Sequence, residues 1–310
     1  MKKFNILFAL FIFTNLAFSQ GTAGSLFLAI NPGAKSSGMG EANIAIANDS
    51  YATYYNPAGL VNLSQKEFSF MHTSYLPNLV DDMSYDFLAF AMPLGQGQAI
   101  GGHFTYLNLG DQNATDINNV DLGTFSSYMY ALNMSYAKSI NENSSWGISG
   151  KYFFQELAVI NNYDASSSNI AIDVAYFRNN ALNNPNLKLG VILANLGPGV
   201  AFEDGEEDPL PTRLGLGSSL MLMDGKGLAA LDVNYDINDS VMGTNIGFQY
   251  EISDEFFLRA GMVNDAGEVS YSTLGFGLKL NSIGFDLSYV IADDFDPHAE
   301  MLKFSIVGSF

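Results

Sequence analysis

The chain has 310 residues, of which 48% are hydrophobic and only 15% charged, and its formal net charge is −19; soluble proteins carry about 25% charged residues. So few charges mean that much of the surface does not meet water, and the acidic balance excludes nucleic acid as a partner, because neutralising phosphates takes basic patches. Cysteine is absent, which excludes disulfides, thiolate metal sites and a lipid-anchored N-terminal cysteine.

In chain order, residues 1–19 have the pattern of a secretory signal peptide. Lys2 and Lys3 form a basic start, residues 4–13 an apolar core, and Ala17-Phe18-Ser19 a small-residue cleavage site before Gln20. Cleavage there removes two of the 13 basic residues, against 32 acidic ones. Beyond residue 20 no run of about 18 apolar residues remains, so no membrane-spanning helix is predicted. Residues 20–66 form a unit of their own. Within it, residues 31–60 are rich in small side chains, mix helix-like with turn-like pieces, and end on Asn56-Pro57-Ala58-Gly59.

From residue 67 to 310 the chain becomes a series of short segments with period-two alternation, rich in aromatic and β-branched residues, which is the pattern of strands. Fourteen are predicted, at 67–75, 85–93, 98–107, 126–139, 144–157, 168–179, 186–195, 211–222, 227–237, 244–252, 256–263, 271–280, 283–290 and 300–310. Most are about as long as the 9–11 residues that a tilted strand needs to cross a bilayer. Longer connections alternate with shorter ones such as 94–97 and 281–282, as outer loops alternate with periplasmic turns in bacterial barrels. The expected fold is all-β, a 14-stranded antiparallel transmembrane β-barrel over 67–310, with the 20–66 segment as a plug in its lumen.

The two faces of the strands separate. Tyr128, Tyr130, Leu132, Met134 and Tyr136 share one side of their segment, as do Trp146, Ile148, Tyr152 and Phe154 in the next; these sides suit lipid, with Tyr and Trp as interface anchors. Lys151, Asp173, Lys188, Arg213, Asp232, Arg259, Lys279, Asp286 and Lys303 fall on the opposite, lumenal side, and a Lys or Arg facing lipid at midplane costs about 2–4 kcal/mol. Only the segment at 85–93 has no clear face. The longer connections carry many acids and no Lys or Arg, most densely at Glu203, Asp204, Glu206, Glu207 and Asp208.

Each of these features has a functional and a bland reading. His72, His103 and His298 have no metal-ligand spacing, and no nucleophile elbow or phosphate-binding motif is present; the chain is expected to be no enzyme and to need no cofactor. The acidic loops suit Ca²⁺ by ligand type but match no EF-hand spacing. A solvated surface, bridged by divalent ions to lipopolysaccharide, is the stronger expectation. The lumenal cations would suit a fatty-acid carboxylate, but more simply they are satisfied by one another and by Glu41 and Asp49 of the plug.

The run Leu26 to Lys35, with Gly33, Ala34 and Lys35 at its end, then Gly38-Met39-Gly40, and later Asn56, Pro57, Ala58 and Gly59, resembles the opening of the PorV/PorQ family of outer-membrane proteins. Lys35 stands where that family usually has arginine. The Asn-Pro-Ala-Gly element also occurs in the FadL-type fatty-acid transporters. The resemblance implies an outer-membrane barrel with its N-terminal segment folded inside. In the PorV-like branch such a barrel serves type IX secretion, receiving secreted cargo and passing it to an attachment complex. In the FadL-like branch it takes up hydrophobic small molecules, which is the alternative function. Expected partners are outer-membrane lipid and lipopolysaccharide, secreted cargo and secretion or attachment components, or a hydrophobic ligand.

Overall fold

The computed structural model describes residues 23–116, 118, 120–160, 163–202, 207–265, 269–293 and 296–310; the signal peptide expected at 1–19 lies outside the described residues. The described residues form sixteen strands, most of them with alternating buried and exposed side chains. They are β1 (Glu67–Ser74), β2 (Ser84–Gly95), β3 (Gln98–Thr115), β4 (Asp121–Asn141), β5 (Ser144–Ile160), β6 (Tyr163–Arg178), β7 (Leu187–Leu196), β8 (Val200–Ala201), β9 (Glu207–Asp208) and β10 (Arg213–Leu222), then β11 (Gly227–Asp236), β12 (Val241–Ser253), β13 (Phe256–Asp265), β14 (Val269–Leu280), β15 (Ile283–Ile291) and β16 (Leu302–Ser309). Fourteen close into one barrel; β8 and β9 form a small separate sheet in the β7–β10 connection. Every barrel neighbour is antiparallel, and β16 returns to pair with β1 from Glu67↔Ser309 to Thr73↔Lys303. Closure leaves no strand edge unpaired, the condition for a sheet to sit in hydrocarbon.

The outward face is apolar, with Leu132, Met134, Ile170, Ile246, Leu274 and Leu302 among its exposed side chains. The strand without a legible face, β2, does have one. Tyr85, Phe87, Ala89 and Ala91 point inward and are buried, and Leu88 and Phe90 point outward. Its inward aromatics, as large as its outward ones, hide the alternation: Phe87 stacks on Tyr51 at a centroid distance of 5.3 Å.

Four strands run farther than expected. β3 continues to Thr115, β4 begins at Asp121, β5 continues to Ile160 and β6 begins at Tyr163. The β3 and β6 extensions are mostly polar, and those of β4 and β5 are too short for their apolar residues, such as Leu122 and Val159, to make the alternating stripe that marks the strands below them. The β3–β4 ladder continues there from Asp111↔Ser126 to Thr115↔Asp121 with two register shifts, and Ser126 Oγ donates to Asp111 at 2.6 Å. The connection shrinks to 116–120. At the opposite end the β6–β7 connection, 179–186, is longer than several loops, so the alternation of long and short connections is weaker than expected.

Candidate functional site

Residues 24–66 precede the barrel and contain only short helical pieces: a 3-10 turn at Leu26–Ala29, α1 (Ala34–Gly38), α2 (Ala52–Tyr55) and a second 3-10 turn at Pro57–Asn62. The Asn-Pro-Ala-Gly element explains itself locally. Asn56 caps the second turn, its Oδ1 accepting from Ala58 N at 3.1 Å. Pro57 occupies the first position, where its missing N–H costs nothing. The Asn56 amide also donates to Ile44 O at 3.0 Å and to Tyr176 O of β6 at 3.2 Å, tying the turn to the rest of the segment and to the barrel.

An irregular segment leaves many backbone groups without partners, and buried ones must find them. Inward side chains from around the barrel supply them. Ala34 N donates to Ser305 Oγ of β16 at 2.8 Å, and Gly40 N to Thr273 Oγ1 of β14 at 3.2 Å. Asn43 N and Ile44 N both donate to Asp232 Oδ2 of β11, at 2.7 and 2.9 Å. Asn245 of β12 donates to Gly40 O, Ser219 of β10 to Ala45 O and Ser145 of β5 to Ala58 O, each within 2.8 Å. His103 Nδ1, buried on β3, lies 3.1 Å from Thr53 Oγ1. Residues 33–60 are nearly all buried as a result. Burial pushes the hydroxyl pKa values of Tyr54 and Tyr55 up, so both stay protonated donors, to Leu28 O at 3.2 Å and Pro32 O at 2.8 Å.

The nine charged residues expected on the lumenal side lie on the inward sides of their strands, and most of them are paired. Lys151 Nζ is 2.9 Å from Asp173, and Arg259 is 2.6 Å from Asp286. Lys303 is 3.4 Å from Glu41, which also accepts from Tyr271 and Asn31, at 3.1 and 2.7 Å. Asp49 pairs not with a barrel cation but with Lys35 of its own segment, at 2.8 Å. Burial lowers the Lys35 pKa, yet the Asp49 carboxylate more than offsets this, so the ammonium sits above the ordinary lysine value. Arg213 reaches the Tyr54 side chain. Lys188 and Lys279 lie toward the turn ends of β7 and β14, half-buried and exposed respectively. Of the acidic loop, Glu203, Asp204 and Glu206 lie outside the described residues; Glu207 and Asp208 form β9 and are exposed.

Cavities lie on both sides of this segment. At the loop end, one of about 310 Å³ is floored by Glu41 and Lys303 beneath Tyr75, Tyr271 and His298. A neighbour of about 340 Å³ is lined by Phe27, Leu107, Met129, Leu157 and Phe202. At the turn end, a cavity of about 370 Å³ is polar, lined by Lys35, Asp49, Glu67, Arg259, Lys279 and Asp286. The loop-end apolar cavity was not foreseen from sequence, because its lining joins the loop-ward ends of several strands to the 24–30 turn and to Phe202 of the β7–β10 connection, which lie far apart in the chain.

Comparison with known proteins follows the geometry. Residues 17–244 match a family described as type IX secretion system protein PorV. No curated protein matches the chain. Among solved structures, the toluene transporter TbuX of Ralstonia pickettii gives a TM-score of 0.64 at 13% identity, covering 90% of this chain and 98% of that one. The toluene transporter TodX of Pseudomonas putida gives 0.61 at 12%, covering 89% and 96%, and a FadL homologue of Pseudomonas aeruginosa gives 0.55 at 11%, covering 88% and 96%. At such identities the likeness is one of fold, and with the apolar outward face it fits an outer-membrane barrel. The family match takes in the whole 24–66 segment and the strands through β11, and the chain belongs to the PorV family of type IX secretion system proteins.

Proposed function

We propose that this barrel serves type IX protein secretion or the surface attachment of cargo at the outer membrane, without catalysing a reaction and without a cofactor. In this reading a cleaved leader at 1–19 delivers the chain. The 20–66 segment is the plug of the lumen, and the loop end of the 67–310 barrel meets secreted cargo or the components that carry and attach it. The carrying observation is the family match over 17–244. Two features of the interior support the reading. The 33–60 segment is hydrogen-bonded to seven different strands or more, and it separates the loop-end cavities from the turn-end one. The buried cations at 151, 259 and 303 already have carboxylate partners, so an anionic substrate would have to displace one.

Deletion of the gene is expected to lower surface-attached cargo at least tenfold, with the cargo accumulating in the periplasm. Crosslinking in intact cells, followed by affinity capture from solubilised outer membranes, is expected to recover secretion components or cargo. Normal surface cargo together with an empty capture would overturn the reading.

The apolar cavity at the loop end favours a second reading, uptake of a hydrophobic small molecule, since TbuX and TodX are described as toluene transporters. It predicts that uptake of a labelled monoaromatic compound into cells falls in the deletion strain; unchanged uptake removes it.

A further inference from the structure

A cavity larger than the three described above lies outside the lumen. It is a groove of about 730 Å³ on the outward face of β2 to β6. One line of paired outward positions crosses it: Phe90↔Gly102, Gly102↔Met134, Met134↔Gly150 and Gly150↔Ile172. Where every other member of that line is large, Gly102 and Gly150 have no side chain, and the wall is indented on either side of Met134. The ladders run through Gly102 and Gly150 without a register shift, so the groove is a seat in a closed wall and no portal into the lumen. Met134 stands 79% exposed between the two hollows; its flexible thioether adapts to a chain lying beside it.

The height of the groove identifies what covers it. Aromatic side chains bracket the lipid-facing band: Tyr128, Tyr130 and Phe154 toward the loop end, and Tyr136, Trp146 and Tyr176 toward the turn end. On β4, Met134 is one outward step above Tyr136 and two below Tyr130, so the groove lies in the half of the band nearer the turns, which face the periplasm in such barrels. Directly beneath it are two outward-facing cations. Lys138 lies abreast of Trp146, which is abreast of Tyr176. Arg178, one step lower, donates to Ser144 Oγ at 3.2 Å, and Tyr176 Oη donates to the same oxygen at 3.0 Å. Lys138 is four residue steps from Met134, about 13 Å along the strand.

We propose that the β4–β6 wall binds one phospholipid of the periplasmic leaflet, its phosphate at Lys138 and Arg178 and one acyl chain in the groove at Gly150 and Met134. Basic side chains beside an aromatic anchor recognise anionic lipid heads, and two glycines in one line set two hollows side by side here, where the rest of the described outward face has single small residues such as Gly308, Ser218 and Ala260. The site is independent of the secretion reading and requires only that the barrel span the outer membrane.

Native mass spectrometry of the protein extracted in mild detergent tests it, followed by delipidation and titration with a phosphatidylglycerol of defined acyl length. One retained phospholipid is expected. Gly150→Leu is expected to lower its retention at least tenfold, because nothing lies within 4 Å of a Cβ at 150 and the added side chain enters the groove without disturbing the wall. The double change Lys138→Gln and Arg178→Gln leaves the groove intact and is expected to lower retention of phosphatidylglycerol more than that of a zwitterionic phospholipid. Equal retention by the Gly150 variant overturns the groove, equal loss of both lipids in the double variant overturns the head site, and preferential retention of lipid A overturns the leaflet. Heat-dependent gel mobility confirms that each variant is folded.

Discussion

Lys151→Met is expected to destabilise the folded barrel by about 3–5 kcal/mol, the usual cost of leaving one member of a buried ion pair alone. Lys151 on β5 and Asp173 on β6 are 4% and 0% exposed. The lysine also donates to Asn195 Oδ1 at 2.6 Å, and Asn195 N donates to Asp173 Oδ1 at 2.8 Å. Asn195 reaches this cluster because the β6–β7 pairing shifts register between Ile172 and Val174 and Asn195 takes a left-handed φ of 60°. The irregularity turns Ala194 and Asn195 inward together. Methionine fills the lysine's volume but gives the carboxylate nothing, and Asp173 Oδ2 already has no hydrogen-bond partner. The double variant with Asp173→Asn removes the stranded charge and is expected to recover more than half of the loss. Urea titration of the refolded protein in lipid vesicles reads both; a single variant that unfolds at the wild-type midpoint would show that the pair contributes nothing.

That pair also shows what the sequence alone reveals. The inward side of the nine charges well inside the strands was readable, because a charge facing lipid at midplane is costly enough to leave a periodic pattern in the chain; Lys138 and Arg178 face outward at the turn ends, where that cost fades. Partnership was not readable. Lys151 finds Asp173 across one ladder and Arg259 finds Asp286 across two ladders, over β14, and such pairings depend on register, which period two does not encode. Asp49 illustrates the same limit. Its charge suggested a barrel cation, yet the cation it pairs with, Lys35, lies in its own segment, which folds back to bring the two within 2.8 Å. Where the chain leaves the membrane band the pattern fades altogether. Residues 108–115 and 121–125 lie beyond the apolar band, so β3 and β4 continue there without an apolar stripe to announce them. The Asn56–Gly59 element was legible as a motif, whereas its bond to Tyr176 of β6 was not.

Gly261→Val is expected to drive the 31–63 segment from its position and to open the barrel to ions. An ideal Cβ at 261 would fall closer than any real contact to Gly40 N, Gly40 Cα and Met39 C, all of them backbone. The approach is reciprocal. Gly40, at a φ of +60°, has no room for a Cβ either, because it meets the backbone of Ile246 and Met262. Overpacking a core costs about 1–3 kcal/mol when side chains can shift; here neither side has a side chain to yield, and the strain falls on the bonds that hold the segment. Gly40 N and O, bonded to Thr273 and Asn245, are the first to be lost, and the two donors bound by Asp232 lie three and four residues on. Wild-type protein in planar bilayers is expected to be silent, and Gly261→Val to show discrete conductance steps, with the segment cut by protease at a rate at least tenfold higher. Gly284→Ala is the control, since its added Cβ would meet only Val307 at 3.9 Å, an ordinary contact. Silence and full protection in the Gly261 variant would mean that the glycine contact does not hold the segment, and conductance by the wild type would mean that the segment does not close the lumen.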